Sequence, residues 1–155
     1  MHKQFMGLAI QLAADKSIKG TCGPFGAVIV RAGKVVGEGW NRVVETQDPT
    51  AHAEIVAIRA ACRKLGTHQL NGCVLYTSCE PCPMCLSAIY WARIDAVFYA
   101  CISSDAATAG FDDSRIYKEV SLTPKDRSLR MTQLCRKEGR KVFRDWIANP
   151  DKQPY

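Results

Sequence analysis

No segment of the sequence approaches the roughly 20 consecutive apolar residues that a bilayer-spanning helix needs, so no membrane span is expected. No Pro-, Gly- or Ser-rich linker, low-complexity tract or internal repeat interrupts the 155 residues, which excludes solenoids and points to one globular domain, 1–155. Nor is an export signal expected. The apolar run from Phe5 to Ala14 is broken by Gln11 and followed by Asp15-Lys16, as in an amphipathic helix. The eight cysteines therefore read as reduced thiols in a cytoplasmic protein rather than as a disulfide framework. Nor is there a purely basic arm. The 21 Lys and Arg outnumber the 15 Asp and Glu, for a net charge of +6, but they are dispersed. Those between Lys125 and Arg144 are interrupted by Asp126 and Glu138, which favours a solvated surface over an RNA-binding patch.

What is present is an ordinary globular composition, 47% apolar and 23% charged, with alternating helix and strand patterns. Phe5, Leu8, Ala9 and Leu12 predict a helix near residues 2 to 18, which Gly20 ends. Residues 27–30 and 34–40 flank Ala32-Gly33 as a hairpin. Residues 52–65 are read as a helix closed by Gly66, 73–77 as a buried strand, 83–92 as a helix and 96–101 as a strand. That βαβ order favours parallel pairing with a right-handed crossover. Leu129, Met131 and Gln133 alternate as in a late strand, and Val142, Phe143, Trp146 and Ile147 predict a last helix. The expected fold is a three-layer α/β/α sandwich around a five-stranded mixed sheet.

His52-Ala53-Glu54 and Pro81-Cys82-Pro83-Met84-Cys85 carry the chemistry. Cys82 and Cys85, three apart, project from one face of a first helical turn and can grip one ion. The positive end of that helix favours the thiolates a metal needs. His52 and Glu54, two apart, do not share a face inside a helix, so the motif requires a helix start, for which Asp48, Pro49 and Thr50 supply cap chemistry. With His52 the ligands number three, leaving the fourth tetrahedral position of one zinc ion per chain for water, as a hydrolytic site requires. Two thiolates and a neutral imidazole cancel the ion's charge, so Glu54 is needed as the acid–base group. Cys79 could close the site as a fourth ligand, but it is read as a neighbouring strand-end thiol.

Together these motifs resemble the cytidine and deoxycytidylate deaminase superfamily. Gly23-Pro24-Phe25-Gly26-Ala27, Asp48 to Glu54, Tyr76 to Cys85, Gly110-Phe111-Asp112-Asp113-Ser114 and the terminal Tyr155 are similar to the compact bacterial guanine deaminases within it. That resemblance implies zinc-dependent conversion of guanine to xanthine and ammonia, with hydroxide attacking C2 and Glu54 carrying protons. It further implies that Asn41 and the Ala53 backbone hold the purine edge, Phe25 and Trp91 its faces, and Asp113 its distal edge or the leaving amine. It also implies a homodimer that exchanges C-terminal segments, with residues 150–155 as a lid and Tyr155 closing the partner's pocket. From pattern alone, Asn41 reads equally as a turn residue, Phe25 and Trp91 as core, and Asp113 as the cap of a short helix. The alternative functions are a tRNA adenosine deaminase, or a deaminase of guanosine, cytosine or another small base.

Overall fold

In the computed structural model, residues 1–154 are described, and they fall into two compact units, Met1–Arg115 and Ile116–Tyr155. The first unit contains α1 (His2–Ser17), β1 (Gly26–Arg31), β2 (Lys34–Trp40), a short α2 (Val43–Thr46), α3 (Ala53–Leu65), β3 (Cys73–Cys79), α4 (Pro83–Trp91), β4 (Ala96–Cys101) and α5 (Ser103–Thr108). Helix α6 (Ser114–Ser121) spans the boundary, and α7 (Arg136–Ala148) lies in the second unit.

The sheet runs β2-β1-β3-β4. β1 pairs antiparallel with β2 and β3, and β3 pairs parallel with β4. The β1–β2 hairpin turns through Ala32 and Gly33, both at positive φ, the conformation that matches the twist of two paired strands. The period-two alternation of β1 builds the layers. Val28 and Val30 pack with Phe5, Ala9 and Tyr76 against α1, while Ala27 and Ile29 join Ala53, Ala57 and Ala61 of α3 and Ile89 of α4 on the opposite face. Tyr76 stacks on Phe98 of β4 (5.2 Å, 11°) and lies 2.8 Å from His2 Nδ1, tying the start of α1 to the sheet.

The α/β sandwich is as expected, but the sheet among the described residues has four strands rather than five. Residues 129–133 form no ladder, and Leu129 and Met131 are exposed. Alternation allows an extended backbone, but only ladder hydrogen bonds to a neighbour make a strand, and that segment has none. Among the described residues no helix is long and apolar enough to cross a membrane.

Two glycines of β2 set how closely α3 approaches the sheet. A Cβ at Gly39 would fall inside contact distance of the Ala53 carbonyl oxygen, and one at Gly37 inside that of Ala57. Ala53 opens the helix, so β2 fixes where α3 begins. Gly39→Ala is expected to cost about 1–3 kcal/mol by overpacking and to weaken zinc retention, because His52 immediately precedes Ala53. Urea unfolding and zinc content of the purified variant check this; a wild-type midpoint would contradict it.

Candidate active site

His52 and Cys82 occupy equivalent places. Each is the N-cap of its helix, with extended backbone (φ −69°, ψ 158° and φ −63°, ψ 167°), so α3 begins at Ala53 and α4 at Pro83. Proline suits that first position because its missing N–H has no intrahelical role there. Cys85 follows one turn into α4 and is fully buried. His52 and Glu54 thus diverge from a helix start, and the Cys82 and Cys85 sulfurs lie close together.

The His52 Nδ1 atom lies 3.6 Å from each sulfur, and the three donor atoms sit within 4.8 Å of one another. Zinc–nitrogen and zinc–sulfur bonds of about 2.05 and 2.3 Å at a tetrahedral angle place the two donors about 3.6 Å apart, so the residues fit a zinc ion. Among the described residues this is the one such cluster. Cys79 stands outside it: its sulfur points to the Ile102 carbonyl oxygen at 3.6 Å, and burial pushes its thiol up to about 11. It is not a donor of the cluster.

The electrostatics of the cluster favour a bound cation. Donation from the Cys85 thiol, then from the His52 ring and the Cys85 backbone N–H, brings Cys82 down to about 4 against the cost of burial. Interaction with Cys82, then burial and the Glu54 charge, push Cys85 up. His52 is raised, first by its hydrogen bond to Cys82. A thiolate at Cys82 beside His52 and Cys85 is the donor chemistry that a divalent cation takes, with release of protons from its ligands.

Glu54 is 6% exposed. Its Oε1 accepts a hydrogen bond from Thr77 Oγ1 at 3.1 Å, and its Oε2 lies 3.4 Å from Cys85 Sγ. Burial raises its pKa, opposed by its own backbone N–H, by Cys85 and by Thr77. A buried carboxyl group raised in this way, beside a metal position, is the kind of group that exchanges protons at a functional site.

A cavity of about 260 Å³ lies beside them within the first unit. Phe25, Asn41, His52, Glu54, Cys82 and Asp113 all contribute to its wall. Asn41 is buried, and its Oδ1 accepts from the N–H groups of Gly23 (3.4 Å) and Val43 (3.3 Å). With the oxygen so held, the NH₂ group is the part of the amide available to an acceptor. Phe25 meets Phe111 edge to face at 4.9 Å. The Ser114 N–H is taken by Asp112 rather than by Asp113, and Asp113 is raised, mainly by burial and then by the Cys82 charge.

Trp91 ends α4, is 68% exposed and is not among the cavity residues, because it lies two turns beyond the cysteines. Ala53, expected to act through its backbone, opens α3 and is fully buried. Tyr155 lies outside the described residues. Conversely, sequence reasoning passed over Thr77, whose β-branched side chain reads simply as a strand former, and Glu80, whose Oε2 receives the Ser103 N–H at 3.2 Å on the cavity wall.

Residues 1–101 match the cytidine and deoxycytidylate deaminase zinc-binding region. The chain belongs to the cytidine and deoxycytidylate deaminase family. Within that family it is 51% identical to the guanine deaminase of Bacillus subtilis over 99% of both chains. The crystal structure of a guanine deaminase from that organism superposes with a TM-score of 0.97, covering 100% of this chain and 99% of that one. A structure of guanine deaminase from Nitrosomonas europaea is 36% identical, covering 70% of this chain and 63% of the other, with a TM-score of 0.65. A tRNA-specific adenosine deaminase of Aquifex aeolicus is 43% identical over 63% of this chain and 64% of its own.

Proposed function

We propose that the chain is a zinc-dependent guanine deaminase, hydrolysing guanine to xanthine and ammonia. The observation that carries this reading is the 51% identity to a guanine deaminase, which runs through both compact units. The cavity supports it. Its volume of about 260 Å³ suits a free base, and Glu80, Asp112 and Asp113 line it with carboxylates although the chain as a whole is basic. Carboxylates repel phosphates, so this wall disfavours a nucleotide strand.

His52, Cys82 and Cys85 would hold the ion, which when bound supplies Lewis acidity for a hydrolytic water. Phe25 would cover one face of the base, while the Asn41 NH₂ group and the Ala53 backbone N–H, free at the helix start, would hold its edge. Glu54 would take a proton from the attacking water, pass it to the ring nitrogen beside C2, then take the remaining water proton from the new C2 hydroxyl and give it to the departing amine. Water thereby replaces the C2 amino group with an oxygen as ammonia leaves. Asp113 would receive the distal edge of the base or the amine. Trp91, exposed on α4, would touch a base only if something besides the described chain brought them together.

We further propose that the enzyme works in the cytoplasm, where its eight free thiols stay reduced, and that it forms a homodimer in which residues 150–155, ending in Tyr155, act as the partner's lid. A chain truncated before Pro150 is expected to turn over guanine at least about tenfold more slowly; undiminished turnover would remove the lid. The reading as a whole is tested by product analysis, with xanthine and ammonia appearing in equal amounts from guanine and tRNA failing to compete at low salt.

A further inference from the structure

Strand β3 lies inside the sheet, paired on both sides, where a strand is held most firmly. Registered residues on β3 and β4 share a face, as the stacked Tyr76 and Phe98 rings illustrate. Thr77 therefore points the opposite way from Tyr76, toward α3, where its hydroxyl meets Glu54. It is 1% exposed and is among the largest fully buried side chains of the chain. A hydroxyl in such a place costs stability unless it is hydrogen-bonded, and valine would fill the same volume in a strand without that requirement. The hydrogen bond recorded for this hydroxyl is the 3.1 Å donation to Glu54 Oε1.

That bond differentiates the two carboxylate oxygens. Oε1 is occupied by a donor mounted on the rigid centre of the sheet, and Oε2 is the oxygen on the side of Cys85 and the metal position. Without the hydroxyl, the carboxylate could turn about its terminal torsion, which is broad for glutamate, and Oε1 would be left buried without its donor.

We propose that Thr77 is a positioning residue that locks the Glu54 carboxylate in the rotation leaving Oε2 toward the metal and the reacting base. This rests on the reading of Glu54 as the proton carrier. The lock acts on the geometry of proton transfer and touches neither the ion nor the base, so it separates kcat from KM.

The test compares Thr77→Val, Thr77→Ser and Glu54→Gln in the full-length, zinc-loaded chain, with guanine as substrate and zinc content measured for each. Thr77→Val keeps the shape and removes the donor; it is expected to lower kcat about 10- to 100-fold with KM within about twofold and zinc unchanged. Thr77→Ser keeps the donor and is expected to retain most of the activity. Thr77→Val with wild-type kcat while Glu54→Gln is inactive would overturn the lock, as would Thr77→Ser falling as low as Thr77→Val, which would mark the effect as packing. Should Thr77→Val not fold, Thr77→Ala and Thr77→Ser are compared in the same assay, and equal kcat values would overturn the proposal. Wild-type activity in Glu54→Gln would instead overturn the reading on which it rests.

Discussion

Replacing Glu54 by Gln is expected to lower kcat for guanine by about 10²- to 10⁴-fold, the range in which positioned acid–base groups contribute, while the protein keeps its zinc and its fold. The substitution is nearly isosteric and retains an oxygen that can accept from Thr77, so the hydrogen bond to Oε1 survives in kind. What disappears is the exchangeable proton. Glu54 is not in the donor cluster of His52, Cys82 and Cys85, so the metal has no reason to leave. At the low end of that range the loss corresponds to about 2.7 kcal/mol of transition-state stabilisation. Stopped-time ammonia assays with zinc analysis decide the matter, since a zinc-bound variant with near wild-type turnover would remove Glu54 from the chemistry.

Cys85→Ser carries the second large effect, on the metal itself. Serine at neutral pH is an alcohol and replaces a thiolate poorly as a zinc ligand. The remaining pair, His52 and Cys82, would hold the ion by two bonds at half-buried helix starts. The variant is expected to purify with less than about a tenth of an equivalent of zinc and with no guanine turnover. It also forfeits the stabilisation that a bound ligand gives the folded state, about 2.7 kcal/mol for a ligand at one hundred times its dissociation constant. Cys85 is fully buried against His52 and Glu54, so a lower melting temperature accompanies the zinc loss. Stoichiometric zinc in purified Cys85→Ser would contradict the three-ligand site.

The strongest features of the site were legible because they are local. A two-residue separation of His52 and Glu54 admits only a helix start, and both His52 and Cys82 are N-caps in the structure. The hairpin at Ala32-Gly33 and the closing Gly66 were legible for the same reason, since each requires positive φ within a few residues. The limits lie where neighbours across space decide. The alternation of Leu129 and Met131 describes a face but supplies no partner, and no strand forms there among the described residues. Trp91 continues the helical pattern of α4 and so carries no sign that the chain leaves it 68% exposed and off the cavity. Thr77 and Glu80 acquire meaning only when β3, α3 and the start of α5 are brought together.

The acidic cavity wall illustrates the same point for charge. A net charge of +6 is a property of the whole chain, whereas Glu54, Glu80, Asp112 and Asp113 define the field where a substrate would sit. The global sign alone would have favoured a nucleic acid.

The most direct test of the central claim is ammonia release from guanine, guanosine, cytosine and an adenosine-bearing tRNA, with zinc determined on the same preparation. About one zinc per chain with rapid release from guanine, and little from the others, is the predicted result. Preferential release from tRNA, or turnover of guanine by protein without zinc, would contradict it.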